Sequence, residues 1–232
     1  MMYVFPHISK TAGTSLRMAL EQEFPGRVQG AYDRPPHFTG LPSEWYPPVS
    51  DPVVVFGHCV DMYEHVYEDV PHTVIAFLRS PLSRAVSDWM HHRRNPDERL
   101  QRLAQGTLVD WLDNHQGDND DPALRCNRMT TELMDMLKSP LAGTGDFPAH
   151  VAYAMDAVDC WGIVERMAES ITLLNARFGW GLAMRKENVA GEPHPSVDPA
   201  VALRFRDKNA SDYELYYKAG AALQLDIDEW VR

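Results

Sequence analysis

The sequence predicts an α/β fold built on a central, mostly parallel sheet flanked by helices. Short unbroken apolar runs recur along the chain, as in strands buried on both faces. Between them, apolar residues fall at helical spacing, and such strand–helix alternation is the pattern of a parallel sheet. The length of 232 residues fits one compact domain, and neither an internal repeat nor a low-complexity tract breaks the pattern.

Each element has a local reason. Met2-Tyr3-Val4-Phe5 is the first apolar run, and a further strand is expected near Arg27–Ala31. Val53-Val54-Val55-Phe56 is β-branched and bounded by Pro52 and Gly57, and Thr73–Leu78 and Cys160–Val164 follow. Leu16, Ala19, Leu20 and Phe24 make a helical stripe behind Gly13. Pro81 suits a first helical position with Ser80 as N-cap, and Leu82, Ala85, Val86, Trp89 and Met90 then share one face. Met167, Ile171, Leu174 and Phe178 mark another helix, stopped by Gly179. Ser211 with Glu214 reads as a capping box opening a C-terminal helix.

Composition excludes several classes. Apolar residues are 44% and charged residues 24%, too hydrophobic for a disordered chain. The net charge of −11 argues against a protein that mainly grips nucleic acid or an anionic membrane, though not against a local basic pocket. Cys59, Cys126 and Cys160 are too scattered for a disulfide framework or a CxxC metal site and fit reduced thiols. No apolar run approaches the roughly 20 residues that span a bilayer. Met1–His7 turns polar too soon for a signal peptide. A cytoplasmic location is the expectation, with no membrane span and no nucleic-acid partner.

In parallel sheets, ligands bind beyond the carboxyl ends of the strands. The first strand is followed by His7-Ile8-Ser9-Lys10-Thr11-Ala12-Gly13-Thr14-Ser15 and then a helix. Small residues, one lysine and a helix N-terminus make a phosphate site; an ordinary βα turn with a surface lysine is the plainer alternative. G-x-x-x-x-G-K-[ST] is absent, so this is not a Walker A loop. Behind Thr73–Leu78, Arg79 precedes a helix whose polar side carries Ser80, Ser83, Arg84 and Ser87. An arginine fork and a hydroxyl on such a helix can share one phosphate, while a capped surface helix with solvated charges explains the same residues. Gly57-His58 ends a buried strand, where a histidine can serve as general base or be merely structural. His37 is a weaker competitor.

Taken together, Lys10-Thr11-Ala12-Gly13-Thr14-Ser15-Leu16, Gly57-His58 and Arg79-Ser80-Pro81-Leu82-Ser83-Arg84-Ala85-Val86-Ser87 resemble the sulfotransferases that use 3′-phosphoadenosine 5′-phosphosulfate (PAPS). They most resemble the branch containing the uronyl 2-O-sulfotransferases of glycosaminoglycan synthesis and their bacterial relatives. Gly162-Ile163-Val164-Glu165-Arg166 is similar to the family's G-L-T-E-R segment, and Asp212-Tyr213-Glu214-Leu215-Tyr216 to its D-x-x-L-Y pattern. The resemblance runs from residue 3 to about residue 217.

The resemblance implies a P-loop-like three-layer fold, with residues 1–232 as one sulfotransferase domain and about 95–148 a variable helical insertion. It implies that Lys10, Thr11, Ala12, Gly13, Thr14 and Ser15 cradle the 5′-phosphosulfate, and that Arg79 and Ser87 bind the 3′-phosphate. It makes His58 the base, with Lys10 stabilising the leaving phosphate. A closing loop between Arg185 and Pro195 offers Arg185, Lys186 and Asn188, with Lys186 the nucleotide-binding candidate. Ser80 departs from the commoner aspartate or asparagine.

Such a reaction needs PAPS as donor and no metal. The acceptor is a hydroxyl on a small molecule or glycan; at −11, a neutral one is favoured over a long polyanion. His91-His92-Arg93-Arg94 reads either as an acceptor groove or as helix C-terminal charges complementing the dipole, the latter preferred. Asp118-Asn119-Asp120-Asp121 reads as a solvated loop. The rivals are a P-loop kinase or nucleotidase, which would hold Mg²⁺ on an acidic strand end, and a non-catalytic nucleotide-binding relative. The acceptor's identity and the oligomeric state are not legible.

Overall fold

The computed structural model of the chain describes residues 1–32, 50–63, 69–114, 126–184 and 194–231. Its centre is strand β1 (Met2–Pro6), paired on one side with β3 (Val54–Gly57) and on the other with β4 (His72–Leu78). Strands β2 (Val28–Gly30) and β5 (Cys160–Ile163) complete the order β2-β3-β1-β4-β5, and every pairing is parallel. The five expected strands are thus all present, each within a residue or two of its apolar run. Val54, Val55, Ile75, Ala76 and Leu78 are fully buried, which is why those runs do not alternate.

Helices flank the sheet in a three-layer α/β arrangement. Helix α1 (Gly13–Glu23) follows β1, and α2 (Pro81–Arg94) follows β4. Then come α3 (Glu98–Leu103), α4 (Leu108–Asp113), α5 (Arg128–Met136) and α6 (Phe147–Ala157). Helix α7 (Met167–Phe178) stops at Gly179 as expected; α8 (Pro199–Lys208) and α9 (Ala210–Trp230) end the chain. The chain leaves β1 toward β2 at one edge and later crosses to β4 on the opposite side of β1. The carboxyl ends of β1 and β4 therefore border the switch-point crevice where α/β folds bind ligands.

Two apolar clusters hold these layers. The larger joins the sheet to α1, α5, α6, α7 and α9, and includes Met129, Leu133 and Met134 of α5. The smaller packs Ala85, Val86, Trp89 and Met90 of α2 against Trp111, Leu112, Val201 and Phe205. The stripe read on α2 is real, but it faces α4 and α8. The opposite face of α2 is buried too, with Arg84 1% and Asp88 2% exposed, which rules out a solvated surface helix.

Helix ends differ from the sequence reading in two places. Ser80 occupies the N-cap of α2, but its side chain makes no cap bond; its backbone N–H instead donates to Glu165 Oε1 at 3.0 Å. The capping box at Ser211 and Glu214 is not formed, because α9 already begins at Ala210. Two buried side chains cap each other's helices in its place. Asn127 Oδ1 accepts from the N–H groups of Ser211 (3.0 Å) and Asp212 (3.2 Å), while the Asp212 carboxylate accepts from Met129 (3.1 Å) and Thr130 (2.8 Å).

The three cysteines form no disulfide. No helix among the described residues is long and apolar enough to cross a membrane. At Gly57, φ is 158° and a Cβ would lie 2.2 Å from the Ala31 carbonyl oxygen, which is backbone and cannot swing away. Gly57→Ala is expected to destabilise the fold by about 3 kcal/mol, measured by chemical denaturation, because the β2–β3 ends must part to admit a methyl group.

Candidate active site

The switch-point crevice has a volume of about 850 Å³ and opens where β1, β3 and β4 end. Lys10, Ala12, Gly13, Thr14, Ser15, His58, Arg79 and Ser87 all line it, so the residues singled out in the sequence converge on one cavity. Thr11 is fully buried beneath, its hydroxyl donating to the Ile8 carbonyl at 2.8 Å. Lys186, Arg185, Asn188, His37 and the Asp118–Asp121 run lie outside the described residues.

The loop between β1 and α1 is held in an uncommon backbone form. Lys10 and Ala12 both lie in the left-handed region, at φ 69° and 66°. Such residues cost energy and cluster at ligand sites. Ala12 is the N-cap of α1 and offers no side-chain cap, so the leading N–H groups of the helix meet the crevice as an anion-binding end. A Cβ at Gly13 would lie 1.9 Å from His7 Nε2, so only glycine lets the His7 ring sit there. Burial lowers the Lys10 pKa, helped by Arg79, Arg128 and Arg84 and opposed by Asp88.

His58 is oriented by the chain itself. Its Nδ1 lies 2.5 Å from the His7 carbonyl oxygen, an atom that only accepts. Nδ1 therefore carries the proton, and in the neutral ring Nε2 holds the lone pair. The His58 ring stacks on His7 at 4.7 Å and meets Tyr32 edge-on at 5.2 Å. Desolvation lowers the His58 pKa below 6.5, while Glu132 and the bond to His7 pull the other way. His7 is held well below that value, first by burial and then by His58.

Arg79 donates to the Lys10 carbonyl at 3.3 Å and lies 3.4 Å from His194 Nε2, so it touches the loop that it faces. Glu165, which accepts from the Ser80 N–H, also accepts from the Tyr216 hydroxyl at 3.2 Å. Both segments outside the loops, at 162–166 and 212–216, thus brace the helix start behind Arg79. The His91–Arg94 cluster divides. His91 and His92 line the crevice, whereas Arg93 lies over the Trp89 ring at 4.7 Å.

Several lining residues escaped the sequence reading. Arg128 reaches the crevice from α5, paired with Glu132 at 2.6 Å and with Asp88 at 2.5 Å. Burial pushes the Glu132 carboxyl up, but Arg128, Arg84 and the Ser9 bonds outweigh it and bring the pKa to about 2. In sequence, Arg128 and Glu132 are an i,i+4 pair that reads as solvated. Tyr32 and His7, by contrast, follow strand ends, as His58 and Arg79 do, and that signal was available.

Neither the family models nor the curated proteins give a match to this chain. The chemistry of the crevice therefore rests on its own residues: a lysine beside an uncapped helix end, an arginine, hydroxyls and an oriented neutral imidazole. His58 is expected to titrate below 6.5 with Nδ1–H as its neutral tautomer, read by ¹⁵N-edited NMR of the imidazole resonances. A normal or raised pKa, or an Nε2–H tautomer, would contradict this geometry.

Proposed function

We propose that this protein is a PAPS-dependent sulfotransferase acting on a hydroxyl acceptor. One observation carries the reading: an anion-binding helix end with Lys10, the Arg79–Ser87 helix and a base-ready His58 open onto the same crevice. The residues present fit such a donor, since one cavity offers two separate cationic elements to a ligand with two anionic ends.

PAPS supplies the sulfuryl group. His58 Nε2 takes the proton of the acceptor hydroxyl as that oxygen attacks sulfur, and the bond from sulfur to the 5′-phosphate oxygen breaks, leaving adenosine 3′,5′-bisphosphate. The His7 carbonyl steadies the imidazolium that forms, because it already receives the Nδ1 proton. Lys10 and the leading amides of α1 meet the charge that gathers on the leaving phosphate. Arg79 and Ser87 hold the 3′-phosphate and so fix the donor along its length.

The kinase rival needs a carboxylate for Mg²⁺. Asp88 is the carboxylate lining the crevice among the described residues, and it is engaged by Arg128 with Arg84 nearby, which supports the metal-independent donor. Lys10, His58, Arg79 and Ser87 all line the crevice together, which speaks against a non-catalytic relative.

Four outcomes follow from these roles. Calorimetry should show tight binding of adenosine 3′,5′-bisphosphate and weaker binding of ATP with Mg²⁺; the reverse order would favour the kinase. His58→Ala should keep bisphosphate affinity while transfer of labelled sulfate falls by about 10²–10⁴-fold. Arg79→Ala should instead weaken bisphosphate binding by roughly ten- to a hundredfold, the worth of a charge-assisted contact. In the wild type, transfer should rise with pH through the lowered His58 pKa and level off above it, because only the neutral ring accepts a proton.

A further inference from the structure

Between the two halves of the crevice runs a closed set of polar contacts that no step above uses. Ser9 stands next to Lys10 on the loop, and Asp88 next to Ser87 on α2. Glu132 accepts from the Ser9 N–H at 3.1 Å and from its hydroxyl at 2.8 Å. Arg128 donates to Glu132 at 2.6 Å, to Asp88 at 2.5 Å and to the Ser9 hydroxyl oxygen at 3.2 Å. The Asp88 side chain is buried, and a second guanidinium, that of Arg84, lies 3.9 Å from it.

Helix α5 has no need of this arrangement for its own sake. Its first N–H groups are already capped by Asp212, and its apolar side is seated in the main core. Buried ion pairs are poor sources of net stability, since desolvation offsets most of their attraction. What they do well is fix geometry, because each partner left alone would be a costly buried charge. Here the geometry fixed is that of the Lys10 loop relative to the Ser87 helix.

We infer that Arg128 and Glu132 are positioning residues that set the loop carrying Lys10 against the helix carrying Ser87, so that both anionic ends of one nucleotide are met together. This rests on the donor reading above. It assigns α5 a part in substrate recognition, although neither residue need touch the reacting atoms.

The test is a ratio. The dissociation constants of adenosine 3′,5′-bisphosphate and adenosine 5′-monophosphate are measured by calorimetry for the wild type, Glu132→Gln and Ser9→Ala, with thermal unfolding recorded alongside. Ser9→Ala alters no charge and decides the matter if Glu132→Gln does not fold. Positioning predicts that both variants lose about tenfold of the preference for the bisphosphate, while monophosphate affinity changes little. A merely electrostatic role predicts the opposite for Glu132→Gln, since removing a negative charge would tighten both ligands. An unchanged ratio, or tighter binding, overturns the inference. A wild type with no preference for the bisphosphate would instead end the donor reading itself.

Discussion

Two arginines and two carboxylates meet at the wall of the crevice, Arg84 and Asp88 buried and Arg128 and Glu132 mostly so, and each charge leans on the others. Arg128 bonds Asp88 and Glu132, Arg84 approaches Asp88, and Ser9 ties Glu132 to the loop after β1. A lone buried charge costs several kcal/mol, so these groups compel one another's positions. Because they come from α2, α5 and the β1–α1 loop, they fasten three pieces of chain, distant in sequence, at one point. The strained loop at Lys10 and Ala12 persists because its surroundings hold it there.

The same economy of position governs the imidazole pair. Gly13 has no Cβ, which admits the His7 ring; His7 in turn lends its carbonyl to His58 and its face to the stack. Gly57 lets the β3 end lie against Ala31, and that brings Tyr32 beside His58. The His58 ring is thus aimed by backbone groups and small residues, and the His7 carbonyl alone chooses its tautomer.

Much of the fold was legible because strands buried on both faces write themselves as continuous apolar runs, and the strand ends then point to Lys10, His58 and Arg79. What was not legible depended on partners distant in sequence. Ser211 and Glu214 have the spacing of a capping box, yet Asn127, more than eighty residues away, caps that helix while Asp212 returns the favour. Arg128 and Glu132 look like an ordinary solvated pair until Ser9 and Asp88 are seen beside them. Ser80, Ser83, Arg84 and Ser87 read as one polar helix face, and only the folded chain shows that Arg84 on that face is buried, beside Asp88. Local pattern reports helix and strand well, whereas long-range hydrogen bonds between buried polar groups leave no local trace.

On the proposed function, one nucleotide with two anionic ends spans this crevice. A crystal structure of the protein with adenosine 3′,5′-bisphosphate tests it most directly. The predicted result is the 5′-phosphate against Lys10 and the leading amides of α1, with the 3′-phosphate on Arg79 and Ser87. A nucleotide bound away from the carboxyl ends of β1 and β4, or held with its two phosphates exchanged, would contradict it.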